Sequence, residues 1–203
     1  SFPTRRSSDL VAGTVNEELC TVLANPSELG PVTCTGQPVQ LLIAGEIGLS
    51  GPQLAHAGGS TVAFYFKPES SFVLAATQLS AEGAALSVET VEVDGVLLCA
   101  APTADGNFIV AIASGSGLYA VHYSTVTGFG ERFLVDGEAA LSQPSVARGI
   151  CGDDALIAYA KSGPAAELRV ARIRGTQVER STVADGPQSS FGNISLATRE
   201  AAF

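Results

Sequence analysis

Asp105, Asn107, Asp153 and Asp154 fall in two Asp/Gly-rich loops that occupy the same place in two similar stretches of chain. Carboxylate and amide oxygens grouped in this way suit a hard cation, so calcium is the one metal these residues point to. The plainer role for Asp-Gly and Gly-Asp pairs is to turn a hairpin. His56 and Arg148 also match one another, 92 residues apart, in the related segments GEIGLSGPQLAH and GEAALSQPSVAR. Polar side chains at repeated positions can converge on a ligand. The third slot is Ala101 or Pro102, which weakens a ring of equivalent ligands. Cys20 and Cys34 flank TVLANPSELGPVT, a stretch with Pro and Gly, and a disulfide closing it is expected. Closing a loop of that size stabilises by ~3 kcal/mol in the chain-entropy model. No C-x-x-C pair is present and neither histidine lies near a cysteine, so zinc is a poor reading. Ser114–Gly117 (SGSG) has no partner base in view, and the GGS at Gly58 precedes a strand, not a helix, so it is no phosphate loop.

These residues are positioned by a repeat. VAFYF from Val62, VAIA from Val110 and IAYA from Ile157 align through Ala63, Ala111 and Ala158, at spacings of 48 and 47. Each is followed by a second apolar strand: FVLAAT from Phe72, LYAVHY from Leu118, LRVARI from Leu168. Each unit then closes on an Asp-Gly turn, at Gly95, Gly137 and Gly186, and an earlier copy, LLIAG, ends at Gly45. SVETVEV alternates as a half-exposed strand does, and NFIVAIAS is apolar on both faces, as in a strand covered from two sides. No convincing amphipathic helix longer than about two turns is found. Four short antiparallel strands in about 47 residues read as one blade of a β-propeller, because such a sheet buries its two faces by stacking on its neighbours. The competing all-β architecture is an antiparallel sandwich. The predicted organisation is a partial blade over 11–45, full blades over 46–95, 96–137 and 138–186, and the start of another over 187–203.

The first ten residues, SFPTRRSSDL, resemble the in-frame translation of a sequencing-library adapter and are set aside as non-native. A twin-arginine export signal is excluded, since no apolar stretch follows Arg5 and Arg6. The chain has no methionine, so 11–203 is expected to be a piece of a longer propeller with flanking blades. In 203 residues the apolar fraction is 46% and the charged fraction 15%, which argues against disorder. No apolar run reaches the ~18–20 residues of a membrane-spanning helix. The net charge is −9 and the densest basic group is Arg169, Arg172 and Arg174, so a nucleic-acid partner is not expected. The even cysteine count and the acidic, Lys-poor composition lean toward an exported or cell-surface protein.

The unit PSVARGICGDDALIAYAKSGPAAELRVARIRGTQ, Pro144 to Gln177, resembles the repeats of bacterial exported propellers of the sialidase-like or BNR-like type. The likeness lies in strand and turn grammar. An Asp box requires a tryptophan and the chain has none. The resemblance implies a search for arginines that hold a substrate carboxylate and a tyrosine nucleophile, for which the chain offers Arg148, Arg172, Tyr65 and Tyr159. The favoured expectation is a non-catalytic binding or scaffold module for a glycan or protein ligand, with no cofactor beyond a calcium ion at the Asp loops. The alternatives are part of a sialidase-like glycoside hydrolase, or a purely structural repeat.

Overall fold

The computed structural model describes residues 9–15, 18–24, 29–38, 42–43, 49–67, 72–149, 153–161, 166–186, 194 and 196. Runs rich in Val, Ile, Ala and aromatic residues form strands between Gly, Pro and Asp clusters, and all the described regular structure is strand. The first sheet holds β1 (Asp9–Val15), β2 (Glu18–Ala24) and β3 (Leu29–Pro38). A short hairpin follows, β4 (Leu42–Ile43) with β5 (Leu49–Ser50). The second sheet is β6 (Gln53–Ala57), β7 (Ser60–Lys67), β8 (Val73–Leu79) and β9 (Ala85–Glu92) in chain order. The third is β10 (Leu97–Pro102), β11 (Phe108–Ser114), β12 (Gly117–Ser124) and β13 (Gly128–Phe129), with β14 (Phe133–Asp136) also paired to β12. The fourth is β15 (Ser145–Arg148), β16 (Ala155–Lys161), β17 (Ala166–Arg174) and β18 (Gln177–Gly186), again in chain order. Every pairing is antiparallel, and none of the sheets closes on itself.

Strand residues alternate between the two faces of a sheet, and here both faces are apolar. On β11, Phe108, Val110 and Ile112 pack with Val62, Phe64 and Phe66 of β7. Their neighbours Ile109, Ala111 and Ala113 pack the other way, with Ala155, Ile157 and Tyr159 of β16. The reverse face of β7 places Ala63 and Tyr65 against Leu19 of β2. The sheets therefore lie face against face in chain order. The first strands of the last three sheets also touch, β10 packing against both β6 and β15. The β6–β7 and β10–β11 turns meet at Gly58 and Gly106, both left-handed (φ 57° and 85°), where a Cβ on Gly58 would stand 3.3 Å from the Gly106 carbonyl oxygen.

The faces correct the repeat alignment by one residue. Ala111 packs toward the following sheet, whereas Ala63 packs toward the preceding one. Phe64, not Ala63, is the counterpart of Ala111, because a slip of one residue along a strand exchanges its faces. Residues 1–8 lie outside the described residues. Asp9 and Leu10, set aside with them on sequence grounds, pair with Ala24 and Leu23 in the first sheet.

Candidate functional site

Cys20 and Cys34 form the expected disulfide. The stretch between them is not the simple loop expected. Cys20 and Cys34 are direct cross-strand partners, and β2 and β3 continue beyond them as a paired hairpin. The bridge therefore fastens two strands that already pair. Cys99 is a free thiol, half-buried, and burial pushes its pKa up. Cys151 lies outside the described residues.

The two β15–β16 loop aspartates separate. Asp153, 1% exposed, accepts from Arg172 Nε at 2.9 Å and from Arg174 Nε at 2.6 Å. Burial raises its carboxyl pKa, but the two guanidinium hydrogen bonds outweigh that and hold it below the usual carboxylate range. Asp154 instead takes the Gly175 amide at 2.6 Å. It lines a cleft of 310 Å³ together with Asp105, Asn107, His122, Ser124 and Thr127. Thus Asp105, Asn107 and Asp154 line one cleft, and Asp153 does not.

Asp105 is organised locally. It accepts from the Thr103 hydroxyl and from the Asn107 side-chain amide, the latter at 2.8 Å. The Thr103 hydrogen bond is the chief reason its carboxyl pKa is lowered. Among the described residues no three His, Cys, Asp or Glu side chains converge as metal ligands. The calcium expectation therefore finds its oxygens divided: Asp153 bound by arginines, Asp105 by its own loop, Asp154 by Gly175.

His122 was missed on sequence grounds. On β12 it shares a face with Leu118 and Ala120, which pack toward the fourth sheet, and its Nε2 lies 2.8 Å from the Gly175 carbonyl oxygen. Its ring stacks on Phe133, with centroids 5.6 Å apart. The signal was present in LYAVHY, where one polar ring ends an alternating apolar face. It carried no motif.

The remaining candidates do not join this cleft. Tyr65 and Tyr159 are core residues, 0% and 1% exposed. The Tyr65 hydroxyl pairs with Thr77 Oγ1 and that of Tyr159 donates to Asp136 Oδ2, each at 2.8 Å. Burial is the main cause of the raised pKa of both. Both hydroxyls are thus engaged within the core, away from the cleft. His56 and Arg148 are exposed and lie near the ends of β6 and β15, with β10 packed between those strands. The slot between them is filled by Pro102, which pairs with Phe108 as Arg148 pairs with Ala155. His56 Nδ1 lies 2.9 Å from Thr61 Oγ1.

A second charged group joins the third and fourth sheets. Asp136, at the end of β14, receives Arg169 Nη1 and the Tyr159 hydroxyl at 2.8 Å, and the Glu138 amide at 2.9 Å. Burial raises the Asp136 pKa, but these hydrogen bonds together hold it below the usual range. Arg169 also reaches Glu167 at 3.0 Å. With its acid fully occupied, the group acts as a clasp between sheets.

No family model matches the chain, and no curated protein is found to resemble it. What the fold and site define is a class: an all-β, disulfide-bonded chain of successive antiparallel sheets, with a cleft where the loops of two sheets meet.

Proposed function

We propose that the chain is part of an exported β-propeller and serves as a non-catalytic binding module for a glycan, held in the cleft at Asp105, Asn107 and Asp154. Residues 46–95, 96–137 and 138–186 are three blades of that propeller, with partial blades at 11–45 and 187–203. The packing favours this over a sandwich. A sandwich has two sheets and one interior, whereas here the third sheet buries one face on the sheet before it and the other on the sheet after it. Contact of β10 with both β6 and β15 is what blades fanned about a hub require. The disulfide suits an oxidising compartment.

One observation carries the binding role: the fold brings residues from four separate turns around one cleft of 310 Å³. Its lining sets hydroxyl, amide, carboxylate and imidazole groups beside Tyr123 and a larger share of apolar surface, and the polar groups match neighbouring sugar hydroxyls that both donate and accept. The volume is at the low end of small-molecule sites, roughly 300 Å³, and suits one or two sugar rings of a longer chain. The test is a glycan array probed with the whole chain, alongside a triple variant Asn107→Ala, Ser124→Ala, Thr127→Ala. Selective binding that the variant loses, with unchanged thermal unfolding, supports the reading. No binding on the array, or binding indifferent to the triple variant, overturns it.

A further inference from the structure

Ile173 of β17 points into the interface with the third sheet, so its strand neighbours Arg172 and Arg174 project from the opposite face. Both are anchored through Nε by the buried Asp153, at 2.9 and 2.6 Å. A guanidinium held at Nε keeps its plane fixed and directs its terminal nitrogens away from the anchor. For Arg174, 56% exposed, those nitrogens make no hydrogen bond or ion pair among the described residues. They lie at a cavity of 190 Å³ whose walls include Arg172, Gln177, Val178 and Glu179. Glu179, 71% exposed, lies 3.7 Å from Arg172 Nη1, and no ion pair joins it to Arg174.

One buried negative charge thus organises two positive ones; Glu179 offsets the charge of Arg172, so Arg174 is the guanidinium left to offer its terminal nitrogens in a chain whose net charge is −9. We propose that this pocket binds an oxyanion, the carboxylate or sulfate group of a larger ligand, with Arg174 as its principal donor and the Gln177 amide beside it. Asp153 is the positioning residue: it sets the guanidinium in place before the anion arrives, so little ordering is lost on binding. The site is separate from the glycan cleft. Asp154 and Gly175 line that cleft, while Asp153 and Arg174 line this pocket.

The test is titration of the whole chain with sulfate and with glucuronate at fixed ionic strength, with chloride as the control, read by the arginine Nε–Hε NMR resonances. Saturable movement of the Arg174 resonance is expected with at least one oxyanion and not with chloride. The preferred anion distinguishes a sulfated ligand from a carboxylated one. Arg174→Gln should weaken binding by about tenfold or more, the effect of one charge-assisted hydrogen bond, when read well below the variant's own thermal midpoint. Glu179→Gln, which removes a competing charge, should tighten it. Absence of saturation, an equal response to chloride, or undiminished affinity in Arg174→Gln overturns the proposal.

Discussion

Replacing Asp136 by alanine should be among the most damaging single changes at the junction of the third and fourth sheets. The carboxylate is 1% exposed and receives Arg169 Nη1 and the Tyr159 hydroxyl at 2.8 Å each. Its removal leaves a guanidinium 16% exposed and a buried phenol without their shared acceptor. Breaking a buried pair from one side costs about 3–5 kcal/mol, because the remaining charge stays desolvated. In a chain of this size that lowers the unfolding midpoint by roughly 6–20 °C. The assay is urea unfolding followed by tyrosine fluorescence, with Glu138→Ala as the comparison. Glu138 meets the same guanidinium at 3.4 Å, but it is 64% exposed and should contribute less than about 1 kcal/mol. Replacing the group together, Asp136→Leu with Arg169→Met and Tyr159→Phe, should recover much of the loss, since no buried charge is then stranded. If Asp136→Ala costs no more than Glu138→Ala, the clasp is not a buried pair and the reasoning fails.

Three further outcomes follow from the same geometry. Reducing the Cys20–Cys34 bridge, or replacing both cysteines by serine, should lower stability by about 3 kcal/mol or less in denaturant titration, the upper figure being the chain-entropy value for a loop of this size. Gly95→Ala should destabilise by about 1–3 kcal/mol in the same titration, because its Cβ would meet Ile112 Cγ2 at 2.1 Å and the Ala113 carbonyl oxygen at 3.2 Å. Asp136 and Asp153 both titrate below the usual carboxylate range in the folded chain. Their contribution is therefore complete above the unfolded carboxylate pKa of about 4 and is lost as pH falls through the folded values, so acid should loosen the fourth sheet first, as read by hydrogen exchange along β16 and β17.

Strands were legible in the sequence because alternation and turn residues act locally; facing was not. NFIVAIAS reads as apolar on both sides, and the structure shows why: Ile112 and Ala111 serve two different cores. The alignment through Ala63 failed by one position because alanine fits either face, so its identity gave no phase. The tyrosines suggested chemistry through a hydroxyl that a sequence cannot show to be buried. Tyr65 and Tyr159 instead pack into two different interfaces, with hydroxyl partners from β8 and β14. Asp153 and Asp154 looked equivalent in GDD. Both lie in the loop before β16, whose course sends Asp153 to the arginines and Asp154 to Gly175 and the cleft. His122 and Gly175 are joined only by tertiary packing across two sheets, a contact no spacing rule encodes.

Methyl-resolved nuclear Overhauser contacts from Ile109 and Ile112 test the arrangement most directly. These residues lie on opposite faces of β11. The account predicts that Ile112 sees Val62 and other side chains of the second sheet, while Ile109 sees Ile157 of the fourth. If both isoleucines contact the same sheet, or one of them contacts none, the chain is not a series of sheets stacked in order and the account is wrong.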